Sequence, residues 1–106
     1  MPKYMIEATY TPEGLRGVMK DKASGRKAAI EKLVSSIGGK LEGVYYAFGE
    51  ADVFVLFDCP DAVSAAALSL AVSASGLVRI KTIPLLTVEE TDQALNKTTT
   101  YRAPGT

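Results

Sequence analysis

Histidine is absent from this 106-residue chain, and cysteine occurs once, at Cys59. An internal disulfide is therefore excluded, and the usual zinc and iron constellations, built on His and Cys, have no residues to use. A carboxylate-only magnesium or calcium site has no supporting motif. No cofactor is expected. No apolar run approaches the length of a bilayer span, because the Ala-rich stretch Ala65 to Ala74 is short and broken by serines. The amino terminus runs from Met1-Pro2-Lys3 straight into Tyr4-Met5-Ile6, without the pattern of an export signal. Neither charge sign forms a long block: 12 Lys+Arg balance 12 Asp+Glu. These absences predict a cytoplasmic protein with no nucleic-acid and no membrane partner. In that setting Cys59, at the end of an apolar strand, is most simply a small buried hydrophobe.

What is present is organised around Leu41 to Pro60, two apolar and β-branched runs flanking Gly49-Glu50-Ala51-Asp52. This pattern predicts a β-hairpin whose second strand is Val53-Phe54-Val55-Leu56-Phe57. Successive strand side chains point to opposite faces, so this unbroken run puts apolar surface on both sides of a sheet. Both sides then need cover. Each large apolar side chain left wet forgoes about 1.5–3 kcal/mol.

The remaining elements follow from periodicity and caps. Lys3 to Tyr10 alternates as a strand, with Tyr4, Ile6, Ala8 and Tyr10 on one face and Met5, Glu7 and Thr9 on the other. Thr11-Pro12-Glu13 starts a short helix of about two turns, in which Gly14 and Gly17 are weak points. Ser24 is the expected cap of the main first helix, where Ile30, Leu33, Val34 and Ile37 form the apolar stripe and Arg26, Lys27, Glu31 and Lys32 stay outside. Gly38-Gly39 ends it. The following Lys40 does not make a phosphate cradle, which needs amides at a helix N-terminus. Asp61 caps a second helix of small residues that Gly76 stops. Leu77 to Leu86 is the last strand, with Pro84 suiting a sheet edge. Val88 to Leu95 reads as a short acidic helix, and Asn96 to Thr106 as an extended tail.

Strand, helix, strand, strand, helix, strand is the order of the α+β ferredoxin-like βαββαβ sandwich, a four-stranded antiparallel sheet with both helices on one face. The other face is open in a single copy. A second sheet packed face to face would cover it, so a homodimer with a barrel-like α/β core, or a larger assembly, is expected.

Tyr10-Thr11 followed by Gly14, then Gly38-Gly39-Lys40-Leu41, Tyr45, Gly49-Glu50-Ala51-Asp52, Pro60-Asp61 and Val78-Arg79 together resemble the GYD-domain family. The resemblance covers roughly residues 3 to 90, leaving 91–106 as a C-terminal tail. It implies a ferredoxin-like, dimeric α/β-barrel protein and carries over no catalytic residues. Ala51 stands where the family's name gives Tyr, so any role of that ring is absent here or supplied elsewhere.

By alternation, Glu7, Thr9, Tyr46, Arg79 and Lys81 fall on the helix-free face. In the ferredoxin-like order the first and last strands are neighbours, so Glu7 can face Arg79 or Lys81. The simpler reading is a cross-strand ion pair at the rim of a dimer interface. The sharper one is a partly buried cavity that orients a small polar or anionic ligand. Glu50 and Asp52 read as turn residues, with Asp52 bonding nearby amides. The sequence thus describes a homo-oligomeric ligand-binding or assembly module. The alternative is a cofactor-independent enzyme of oxygenase or isomerase type, using Glu or Tyr as acid or base, an analogy from fold alone.

Overall fold

A computed structural model describes all 106 residues. β1 (Lys3–Tyr10) alternates strictly, burying Tyr4, Ile6, Ala8 and Tyr10. β3 (Val53–Asp58) does the same with Val53, Val55 and Phe57. The two pair antiparallel, Ile6 opposite Val55 and Tyr4 opposite Phe57. The rings of Tyr4 and Phe57 stack with centroids 5.7 Å apart, a contact worth about 0.5–1.5 kcal/mol beyond its buried area. β2 (Lys40–Tyr46) and β4 (Val78–Leu85) flank this pair, giving the order β2-β3-β1-β4. This is an antiparallel ferredoxin-like sheet, with Pro84 on an edge strand as expected.

The first helix, α1 (Pro12–Ser36), starts where the sequence predicts: Thr11 is its N-cap, accepting from the Gly14 amide, and Pro12 opens the first turn. As the sequence predicts, it is two helical pieces, and they meet at Lys22; the first, over residues 12–21, is longer than two turns, and Ser24 is not the cap of the second. Lys22 leaves helical geometry (φ 66, ψ 167), and Ser24 makes no capping hydrogen bond. At the far end, the Gly38 amide donates to Ser35 and the Gly39 amide to Val34, with Gly38 left-handed at φ 75. These bonds satisfy carbonyls that a helix end otherwise leaves free.

α2 (Ala62–Ala74) is capped by Asp61, whose carboxylate accepts from the Ser64 amide. That hydrogen bond holds the Asp61 carboxyl below its ordinary range. Ala65, Leu68, Ser69 and Val72 recur at helical spacing toward the sheet, and the Ser69 hydroxyl meets Thr82 of β4 at 2.6 Å. Both helices cover the same sheet face. Val34, Leu68, Phe57 and Cys59 are almost fully sealed between the layers. The Cys59 thiol donates to the Asp61 carbonyl, and burial raises its pKa, the behaviour of a packed rather than a reactive cysteine.

The connections are tied to the strand ends. Leu77, in the α2–β4 link, accepts from both the amide and the hydroxyl of Thr11. Gly14 sits so close beneath it that a Cβ there would lie 2.2 Å from the Leu77 oxygen. Beyond β4, the capping box of Thr87 and Glu90 starts α3 (Val88–Leu95), on which every residue is exposed.

Candidate functional site on the open sheet face

The helix-free face carries an apolar belt across its middle. Met5 on β1 lies opposite Leu56 on β3 and Ile83 on β4, and Phe54 lies next to them opposite Glu7. All four apolar side chains are half-buried with no layer above them. On the far edge the Tyr45 ring lies over Gly43, where a Cβ would come within 3.0 Å of it.

Polar groups bracket the belt. At one end Lys3 pairs with Asp58 at 3.1 Å and with Glu42. Both contacts raise the Lys3 pKa, the Glu42 hydrogen bond most. At the other end β4 sets Lys81 opposite Glu7 and Arg79 opposite Thr9. These four of the five residues expected at the site do come together. With Glu50, Ala51 and Ile80 they line an open cleft of about 370 Å³.

The contacts inside the cleft differ from an ordinary ion-paired rim. The three ion pairs of the chain involve Lys3 and Arg26 as their cations, so Glu7, Arg79 and Lys81 make no direct pair. The Thr9 hydroxyl donates to the Glu50 carbonyl, which fastens the hairpin joint to β1 and makes it a wall of the cleft. Arg79 and Lys81, with neither paired to Glu7, can orient a small polar or anionic molecule by charge-assisted hydrogen bonds. Glu50 is an exposed turn residue, as the sequence predicts, and its backbone carbonyl takes the bond that holds the joint beside the cleft.

Tyr46 does not join the group. β2 slips by one residue between Leu41 and Gly43, so Leu41 opposes Phe57 while Gly43 opposes Leu56. Glu42 is the extra residue of this bulge. Because side-chain direction has a period of two, one inserted residue reverses every later side chain. Val44 and Tyr46 therefore face the helices, Tyr46 opposite Val53, and Tyr45 takes the open face. The signal in the sequence was Gly43, since a glycine inside a strand pattern often marks a bulge.

A second correction concerns Arg26. It lies one turn before Ile30 on the apolar stripe of α1, and instead of pointing to solvent it is half-buried against the core cavity. Its Nη1 is 3.9 Å from Asp21 Oδ2, across the bend at Lys22.

The sheet order, the helix layer on one face and the unlayered opposite face define an α+β protein of ferredoxin-like architecture. Its sequence matches the GYD domain over residues 4–95, and the chain belongs to that family. The match runs through the end of α3. No curated protein matches the chain, and no solved structure does. No helix is long and apolar enough to cross a membrane.

Proposed function

We propose that this protein is a self-associating binding module, in which two copies join through their helix-free sheet faces and the Glu7, Thr9, Arg79 and Lys81 cleft takes a small polar or anionic molecule. The observation that carries this reading is the belt of Met5, Phe54, Leu56 and Ile83, half-buried and uncovered by any layer of its own chain. At about 1.5–3 kcal/mol per large apolar side chain, covering two such belts gives a driving force that a marginally stable domain would use. A second copy suits the face better than a charged partner. The belt is bracketed by both signs of charge, Lys3 with Asp58 at one end and Glu7 with Lys81 at the other, and the chain's net charge is zero. Self-packing therefore brings no excess of like charge together.

Native mass spectrometry of the purified chain tests the reading. The wild type is expected as a dimer or a larger even assembly, and Leu56→Glu as a folded monomer. Arg79→Ala is expected to keep the assembly and lose any retained small molecule. A wild-type monomer at micromolar concentration would overturn the self-association, and unchanged ligand retention in Arg79→Ala would overturn the cleft.

A further inference from the structure

Two helix surfaces on this chain lack the partner their sequence calls for. α3 is amphipathic: Val88, Thr91 and Leu95 recur at helical spacing along one side, yet Val88 is 75 % and Leu95 77 % exposed. Its charge is of one sign, with Glu89, Glu90 and Asp92 and no Lys or Arg. The second surface is on the first piece of α1, where Leu15, Val18 and Met19 form a stripe. Val18 walls an open groove of about 270 Å³ that also meets Leu77, and Met19 is 71 % exposed.

Charge matches the two surfaces. At about 100° per residue, Arg16 and Lys20 run along one flank of the α1 stripe, and neither belongs to any of the chain's three ion pairs. Glu89 and Asp92 run along the same flank of the α3 stripe, likewise unpaired. Two helices packed face to face bring such flanks together only when they run antiparallel. With the two stripes centred on each other in that direction, Asp92 comes level with Arg16 and Glu89 with Lys20. Glu13, one turn before Arg16, then falls toward Lys97, just past α3. α2 offers no such match, because its 13 residues carry no charge at all.

α3 does not cover this patch in its own chain. β4 ends at Leu85, opposite Lys3, while its other end, Val78, pairs with Tyr10 just before α1 begins. The ends of that strand are about 23 Å apart, α3 is about 12 Å long, and only Leu86 and Thr87 join the two. α2, which packs over β4, lies on the intervening path. We propose that α3 of one copy docks on the Leu15, Val18 and Met19 stripe of a second copy, antiparallel to α1, with Asp92 on Arg16 and Glu89 on Lys20. The contact uses the helix side of the molecule, so it goes beyond the sheet-face reading and does not rest on it. A helix of eight residues covers less than the roughly 1,200–2,000 Å² of a stable interface, so the docking is weak. α3 therefore frays in dilute solution and gains protection as copies meet.

Hydrogen exchange of residues 88–95 in the full chain, read by mass spectrometry at micromolar and at millimolar concentration, tests the docking. Protection in the wild type is expected to rise about tenfold between the two, as copies become docked. One variant carries Arg16→Glu with Lys20→Glu, the other Glu89→Lys with Asp92→Lys. Each alone is expected to lose the rise, because it sets like charges together. An equimolar mixture of the two is expected to regain it, since each arm then meets a complementary stripe. Only exposed side chains change, so the amides of β1 and β3 should keep wild-type protection in both variants. Wild-type protection that does not depend on concentration would overturn the proposal, as would variants that behave like the wild type. So would a mixture that stays unprotected while a single chain with all four substitutions is protected, the mark of docking within one chain.

Discussion

The Asp52 carboxylate accepts a hydrogen bond from the Tyr10 backbone amide at 2.9 Å, while the Asp52 amide donates to the Ala8 carbonyl at 2.8 Å. A turn residue of the β2–β3 hairpin thus locks onto the last residues of β1, the strand that carries Glu7 and Thr9. Asp52→Ala is expected to cost about 1–3 kcal/mol, the penalty of stranding a part-buried donor. Asp52→Asn keeps a side-chain acceptor and should lose less. Urea unfolding monitored by circular dichroism measures both, and equal losses would mean that charge, rather than the bond to Tyr10, matters.

Glycines in the first turns of α1 should respond oppositely to alanine. Gly14→Ala puts a Cβ against the Leu77 carbonyl and should destabilise by about 1–3 kcal/mol through overpacking. At Gly17 a Cβ meets nothing within 4 Å, so Gly17→Ala should gain up to about 1 kcal/mol of helix propensity. Thermal melts of the two variants should shift in opposite directions.

Lys22 sits in a region of backbone space (φ 66, ψ 167) that glycine occupies readily and side-chain-bearing residues occupy at a cost of about 1–3 kcal/mol. Lys22→Gly should therefore stabilise the chain, despite the poor propensity of glycine for regular helix. A loss of about 1 kcal/mol, the usual cost of glycine within a helix, would instead indicate that the bend is absent in solution.

Burial, reinforced by the neighbouring Tyr10 phenol, pushes the Tyr46 hydroxyl up to about 12 from its ordinary 10.0. The folded protein then holds this proton at pH values where the unfolded chain releases it. The stability linked to it is complete below pH 10 and is lost as pH rises toward about 12. Tyr46→Phe should flatten that alkaline loss. It should also be neutral or stabilising at pH 7, because it removes an unpartnered buried hydroxyl. Denaturant midpoints measured at neutral and alkaline pH check both statements.

The parts of the molecule that the sequence predicts correctly are those set by local chemistry. Thr11 before Pro12, Asp61 before Ala62, and the left-handed Gly38 and Gly76 mark helix ends by hydrogen bonds and backbone angles within a few residues. Alternation in β1 and β4 brings Glu7, Thr9, Arg79 and Lys81 together because neither strand contains an irregularity. Tyr46 is misplaced by the single bulge residue Glu42, whose own side chain gives no warning. Arg26 escapes notice because a charged residue on an apolar stripe reads as an outward one until the cavity beneath it is seen. The break between the two pieces of α1 is legible to within two residues: the sequence offers Ser24 as a cap, and the chain turns at Lys22.

From Leu86 onward every residue is exposed, α3 included. The radius of gyration is 16.7 Å, against about 13 Å for a compact chain of this length. An eight-residue helix that leans on no core is marginal in water even when well capped. This molecule accordingly has two stabilities rather than one. Amides of β1 and β3 should exchange with solvent hydrogen only through global opening, whereas those of α3 should exchange through local fraying at nearly the rate of an unstructured peptide. A single melting temperature describes the sandwich alone, and a protease should cut the arm well before it cuts the sandwich.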